Sequence, residues 1–183
     1  MTRPSLTPQA LQELMTSRIA EYPDFPEPGV LFRDITPLLA DPVAFHAIIS
    51  HWCSILPERI DYIVGLEARG FVMGTPLAYE LGAGFIPARK AGKLPGTPRQ
   101  ISYSLEYGSA TVEIAENAIP AGSRVLVVDD LLATGGTAAA AIELVRQFDV
   151  ELLGASFLVE LQGLDGRSKL PEVPVTTVWS IPN

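Results

Sequence analysis

The sequence predicts an α/β fold: a mainly parallel, twisted sheet with helices on both faces. Three observations predict it. Short apolar runs rich in β-branched residues, over 62–66 and 123–128 for example, read as strands covered on both faces. Longer stretches carry apolar residues at helical spacing. The two kinds alternate along the chain, and that order closes into strand–helix–strand units with a parallel sheet.

The elements follow in order. Thr7-Pro8 pairs a capping hydroxyl with proline at a first helical position, and Leu11, Leu14, Met15 and Ile19 recur along the helix it opens. Three prolines within 22–29 predict extended, irregular chain. Asp41-Pro42 starts a second helix, with Phe45, Ile48, Ile49 and Trp52 as its buried stripe. Residues 62–66 form a strand, and 70–81 a helix that Gly82 ends. A short strand is expected over 85–88, then a strand pair, 101–105 and 110–115, around Tyr107-Gly108. The strand over 123–128 leads to a helix over 137–148, whose apolar residues are Ile142, Leu144, Val145 and Phe148. Residues 152–161 and 175–179 supply the last strands.

A chain of 183 residues with no internal repeat or linker is expected to be one domain, 1–183. The single Cys53 cannot close an intrachain disulfide and sits in an apolar helical stretch as a small filler. A reducing, cytoplasmic compartment is the default that follows. Residues 1–8 lack the apolar core of a signal peptide, and no window approaches 18 consecutive apolar residues. The net charge of −8 argues against nucleic acid or an anionic membrane as partner. Yet Arg69, Arg89, Lys90, Lys93 and Arg99 are five of the 13 cations, gathered in one stretch. Such a local cluster in an acidic chain suits a compact polyanion.

The most specific string runs from Val125 to Thr137: Val-Leu-Val-Val-Asp-Asp-Leu-Leu-Ala-Thr-Gly-Gly-Thr. Small residues and two glycines at a helix N-terminus expose unpaired backbone N–H groups, which favour phosphate. Asp129 and Asp130 stand beside that cradle, where like charge is unwelcome unless the ligand also brings hydroxyls to donate to carboxylates. A sugar phosphate meets both demands. No Gly-Lys-Ser/Thr follows the turn, so a Walker loop is excluded. The acids precede the glycines, unlike a Rossmann fingerprint. A second candidate, Gly65-Leu-Glu-Ala-Arg-Gly70, also joins a strand to a helix, and Arg69 suits another phosphate group. Residues 89–96 combine cations with flexible residues, and the polar stretch that follows looks like a lid loop, about 93–108.

The Asp-Asp string resembles the phosphoribosyl pyrophosphate motif of the type I phosphoribosyltransferases. Four further blocks occur with it in order: residues 23–37, 65–71, 89–96 and 102–108. Together they resemble the members of that family that act on adenine. The resemblance runs from about 22 to 161. It implies the type I phosphoribosyltransferase fold, with an N-terminal helix and base-binding hood over about 1–36 and a flexible lid over about 93–108. It implies a purine-salvage reaction, adenine plus phosphoribosyl pyrophosphate giving AMP and pyrophosphate.

The implied site is as follows. Ala133, Thr134, Gly135, Gly136 and Thr137 bind the 5-phosphate, and Asp129 and Asp130 the ribose hydroxyls. Glu67, Ala68, Arg69, Lys90 and Lys93 face pyrophosphate, with a cis peptide expected between Glu67 and Ala68. Leu31 and Arg33 offer backbone to the adenine edge, with Phe32 as an apolar wall. Glu106, on the lid beside Tyr107, is the expected proton acceptor, and Arg69 acts with it on the reacting groups. Mg²⁺ is expected through the substrate, with no direct protein ligand. His46 and His51 read as structural. A homodimer is implied, and which basic residues act across its interface is left open. Two rivals also stay open: the same fold acting on hypoxanthine, guanine, xanthine or orotate, and a sensor of phosphoribosyl pyrophosphate without turnover.

Overall fold

The computed structural model describes residues 5–104 and 109–182. The chain forms two compact units, Met1–Ile55 and Leu56–Asn183. The first holds α1 (Pro8–Arg18), β1 (Ala20–Tyr22), β2 (Phe32–Asp34), α2 (Thr36–Ala40) and α3 (Pro42–Ile55). Helix α1 starts as expected, with Thr7 Oγ1 accepting from Ala10 N at 3.2 Å. Asp41 caps α3 by accepting from Val43 N and Ala44 N, each at 3.0 Å. Ile48, Ile49 and Trp52 are buried as the spacing predicts. Phe45 is half-buried, and Ala44 takes the inward place one residue earlier. The short antiparallel pair β1–β2, in register Glu21↔Arg33, was not predicted. Three-residue strands are too short to show alternation. His51 is buried, and its Nδ1 accepts from Leu6 N at 3.0 Å, so its role is structural as expected. Burial lowers its pKa, which keeps the ring neutral and able to accept. His46 is exposed.

The second unit is built on a seven-stranded sheet in the order β5-β6-β4-β3-β7-β8-β9. Its strands are β3 (Tyr62–Leu66), β4 (Gly84–Lys90), β5 (Arg99–Ser104), β6 (Ser109–Ile114), β7 (Arg124–Leu132), β8 (Glu151–Leu161) and β9 (Val175–Ile181). The five strands from β4 to β9 run parallel, and β6 and β5 add an antiparallel margin. Helix α4 (Arg69–Leu81) connects β3 to β4, and α5 (Gly136–Val145) connects β7 to β8. Gly82 closes α4 in the left-handed region, as predicted.

The two central strands read from the sequence are fully buried: Ile63, Val64, Val125, Val127 and Val128 are each 0 % exposed. Ile142, Leu144, Val145 and Phe148 pack from α5 and its exit onto them. Strand β7 is longer than its apolar run. It continues through Asp129 and Asp130 to Leu132, in register with Val159 and Glu160 of β8. Strand β5 likewise starts at Arg99, two residues before its apolar run. Arg99 is fixed by Glu116 at 2.8 Å, by the Gln147 carbonyl and by the Phe148 ring, 4.4 Å from its guanidinium. Part of the expected lid loop is thus sheet. Residues 105–108 lie outside the described residues.

Candidate active site

In a parallel sheet the strand carboxyl ends share one rim, and loops there face a common space. Here β3, β4 and β7 end beside one another, and the space is a cleft of ≈ 480 Å³. It is lined by Asp129, Asp130 and Thr137 from β7 and the start of α5, and by Glu67, Ala68, Arg69, Arg89 and Lys90. An adjoining depression of ≈ 200 Å³ is lined by the turn residues Ala133, Thr134, Gly135, Gly136 and Thr137, and shares Arg69, Asp129 and Asp130 with the cleft. The three loops read from the sequence therefore converge.

The turn sits where helix α5 begins. Gly135 caps it at φ +80° with no side-chain hydrogen bond at the cap. The first N–H groups of α5 have no earlier carbonyl of the helix to donate to, so they form an anion-seeking end. Thr137 Oγ1 lies 3.1 Å from the Tyr103 hydroxyl, which ties the turn to β5.

The acidic pair is electrostatically costly. Burial, then repulsion from Asp130, pushes the Asp129 pKa well up. Burial also raises Asp130, and Arg69 opposes the shift. Arg69 Nε sits 2.9 Å from Asp130 Oδ2, a carboxylate only 6 % exposed. The sequence reading assigned Arg69 and Asp130 to different ends of the ligand; the structure pairs them.

The loop between β3 and α4 holds a second arrangement that spacing does not reveal. The Glu67–Ala68 peptide is cis, where it was expected. The Glu67 carboxylate collects cations: Lys93 Nζ at 2.6 Å, Arg89 Nε at 3.6 Å, and the Lys90 N–H at 2.9 Å. The Lys93 hydrogen bond, then that of Lys90, lowers its pKa to about 2. Lys93 is thus drawn to Glu67, and it does not line the cleft. Glu113 is buried and accepts from Lys93 N and Leu94 N, each at 2.8 Å, which fixes the turn after Lys90.

Tyr103 and Thr111 line the cleft without having been singled out for it, and Arg89, read from the sequence only as part of the basic cluster, lines it too. Alternation along 101–103 was the available signal for Tyr103, since Ile101 and Tyr103 share a face and both pack on the core. Glu106 and Tyr107 lie outside the described residues. Leu31, Phe32 and Arg33 belong to the N-terminal unit. There Phe32 meets Phe25 edge-on at 5.2 Å, Arg33 Nε pairs with Glu21 at 3.0 Å, and Leu31 is exposed. Among the described residues, no three His, Cys, Asp or Glu side chains are grouped to hold a metal. No helix among them is long and apolar enough to cross a membrane.

The phosphoribosyl transferase domain model matches residues 39–180. An adenine phosphoribosyltransferase of Acidothermus cellulolyticus is 52 % identical over 177 residues, covering 96 % of this chain and all of the relative. The Saccharomyces cerevisiae adenine phosphoribosyltransferase, solved with an imino-altritol bisphosphate and adenine, superposes with a TM-score of 0.86 at 51 % identity. It covers 92 % of this chain and 97 % of its own. The Trypanosoma brucei adenine phosphoribosyltransferase, solved with AMP, pyrophosphate and ribose 5-phosphate, has a TM-score of 0.82 at 25 % identity, covering 96 % and 82 %. With its strand–Asp-Asp–turn–helix unit inside the matched region, the chain belongs to the adenine phosphoribosyltransferase family of phosphoribosyl transferase domains.

Proposed function

We propose that the protein moves the 5-phosphoribosyl group of phosphoribosyl pyrophosphate onto adenine, giving AMP and pyrophosphate in purine salvage. One observation carries the reading. A cleft lined by an acidic pair and basic residues adjoins an anion-seeking helix start, and the two share Arg69, Asp129 and Asp130, which suits a sugar bearing phosphate at both ends. The yeast and trypanosome relatives bind adenine and ribose 5-phosphate respectively, which supports it.

The residues act as follows. The N–H groups and hydroxyls of Ala133 to Thr137 hold the 5-phosphate. Asp129 and Asp130 face the ribose hydroxyls, and Arg69, paired with Asp130, opposes the rise that burial imposes on its pKa. Arg69 and Lys90 neutralise the departing pyrophosphate, and the Glu67–Ala68 backbone lines its seat, while Lys93 stays paired with Glu67. Leu31, Phe32 and Arg33 receive adenine. Glu106 takes the proton that adenine loses as its nitrogen attacks C1 of the sugar.

Mg²⁺ fits as an ion carried by the substrate. Asp129 and Asp130 would hold the sugar hydroxyls that carry it, with no direct protein ligand to the ion. When bound it would offset pyrophosphate charge. The active particle is a homodimer of 19.7 kDa chains in the cytoplasm, and sedimentation checks the mass.

Incubation with labelled adenine, Mg²⁺ and phosphoribosyl pyrophosphate yields AMP. Turnover of another base in place of adenine overturns the base assignment, and binding without any turnover indicates a sensor. A Glu106→Ala variant with unchanged turnover removes Glu106 from proton transfer.

A further inference from the structure

The turn over Ala133 to Thr137 is pressed from behind by a second turn. After β8 the chain makes two 3-10 segments, Gln162–Leu164 and Gly166–Lys169. Gly166 is buried against the first turn. A Cβ built on Gly166 would lie 2.0 Å from the Ala133 carbonyl oxygen and 3.0 Å from Gly135 N. A Cβ on Gly135 would lie 2.3 Å from the Gly166 carbonyl oxygen. Two glycines thus meet backbone to backbone, and neither tolerates a side chain without displacing the other turn.

The next residue anchors that contact. Arg167 Nε and Nη2 donate to the two Glu160 carboxylate oxygens at 2.9 and 2.6 Å, a bidentate fork. Its Nη1 donates to the Val175 carbonyl at 3.1 Å, which ties it to β9. Glu160 is 6 % exposed and accepts from Ser180 Oγ at 3.4 Å. It stands in register with Leu132, the residue immediately before Ala133. The fork therefore fixes Gly166 against the same strand end from which the turn springs. Gly166, Arg167 and Glu160 line neither the cleft nor its adjoining depression.

We propose that Gly166, Arg167 and Glu160 are positioning residues: a brace that sets the Ala133–Thr137 backbone at the height a 5-phosphate needs. The proposal rests on reading that turn as the 5-phosphate seat. Hydrogen bonds weaken steeply once donor and acceptor pass about 3.5 Å, so a shift of about 1 Å in the turn releases phosphate oxygens. The brace acts on how tightly the phosphorylated sugar is held, while adenine contacts and the chemical step stay as they are.

Two variants test it. Gly166→Ala places a methyl group against Ala133, and Arg167→Lys keeps the charge but loses the fork. Steady-state kinetics with each substrate and calorimetric titration with ribose 5-phosphate provide the readouts, with thermal unfolding beside them. Gly166→Ala is expected to raise the KM for phosphoribosyl pyrophosphate about 10-fold or more, and Arg167→Lys about 3- to 10-fold. Ribose 5-phosphate affinity falls in parallel, while the adenine KM and saturated kcat stay within about 3-fold. A lowered melting temperature or kcat with unchanged KM for phosphoribosyl pyrophosphate, and unchanged ribose 5-phosphate affinity, overturns the brace and leaves a purely structural contact. If Gly166→Ala does not fold, Arg167→Lys decides by the same criteria. Wild-type protein that fails to bind ribose 5-phosphate overturns the phosphate seat itself, and the brace with it.

Discussion

At the scale of single residues, charge is concentrated where solvent is scarce. Asp130 is buried beside Asp129, and Arg69 is the opposite charge that makes this tolerable. Asp130→Asn removes an acceptor for charge-assisted hydrogen bonds, each worth about 1.5–3 kcal/mol. The expected loss is about 10- to 150-fold in kcat/KM for phosphoribosyl pyrophosphate, measured by initial rates. Glu67 supplies a pH prediction. Its folded pKa of about 2 lies below its ordinary 4.5, so the pairing with Lys93 contributes fully above pH 4.5. That contribution fades as pH falls from 4.5 toward about 2. Thermal unfolding of wild type and Glu67→Gln should therefore differ at pH 6 to 7 and converge toward pH 2. An equal gap at both ends would assign the effect to packing.

At the scale of elements, β7 and α5 illustrate what periodicity does and does not reveal. The apolar run over 123–128 located a buried strand correctly. Its extension through Asp129 and Asp130 to Leu132 depends on pairing with β8, which hydropathy cannot report. The same holds for Arg99 and Gln100: their place in β5 comes from the ladder with Ile114 and Glu113. Helix α5 was legible because alanine-rich chain favours helix and its apolar residues have one sheet to cover. Phe157, central in β8 and 0 % exposed, touches that core. Phe157→Ala is expected to cost about 3–5 kcal/mol, seen as a lower midpoint in denaturant unfolding with the slope unchanged.

At the scale of the whole molecule, a chain of net charge −8 carries a basic wall at one cleft. The cleft is open to solvent, so salt should screen its pull on an anion. The KM for phosphoribosyl pyrophosphate is expected to rise several-fold between about 0.05 and 0.5 M KCl, with the KM for neutral adenine nearly constant. A salt-independent KM would mean that contact geometry, and not the local field, sets the affinity.

The α/β class, the central strands, the rim on which the loops gather and the family were all legible along the chain. Those follow from local chemistry: hydropathy with a period, turn residues, and acids and glycines adjacent in the chain. The pairing of Arg69 with Asp130 and of Glu67 with Lys93 emerged from the folded arrangement. It alone revealed Tyr103 at Thr137, and Gly166 locked against Gly135. Each of these joins residues far apart in sequence. Their partners are chosen by strand order and by how closely two backbones approach, and neither is written in the neighbourhood of any one residue.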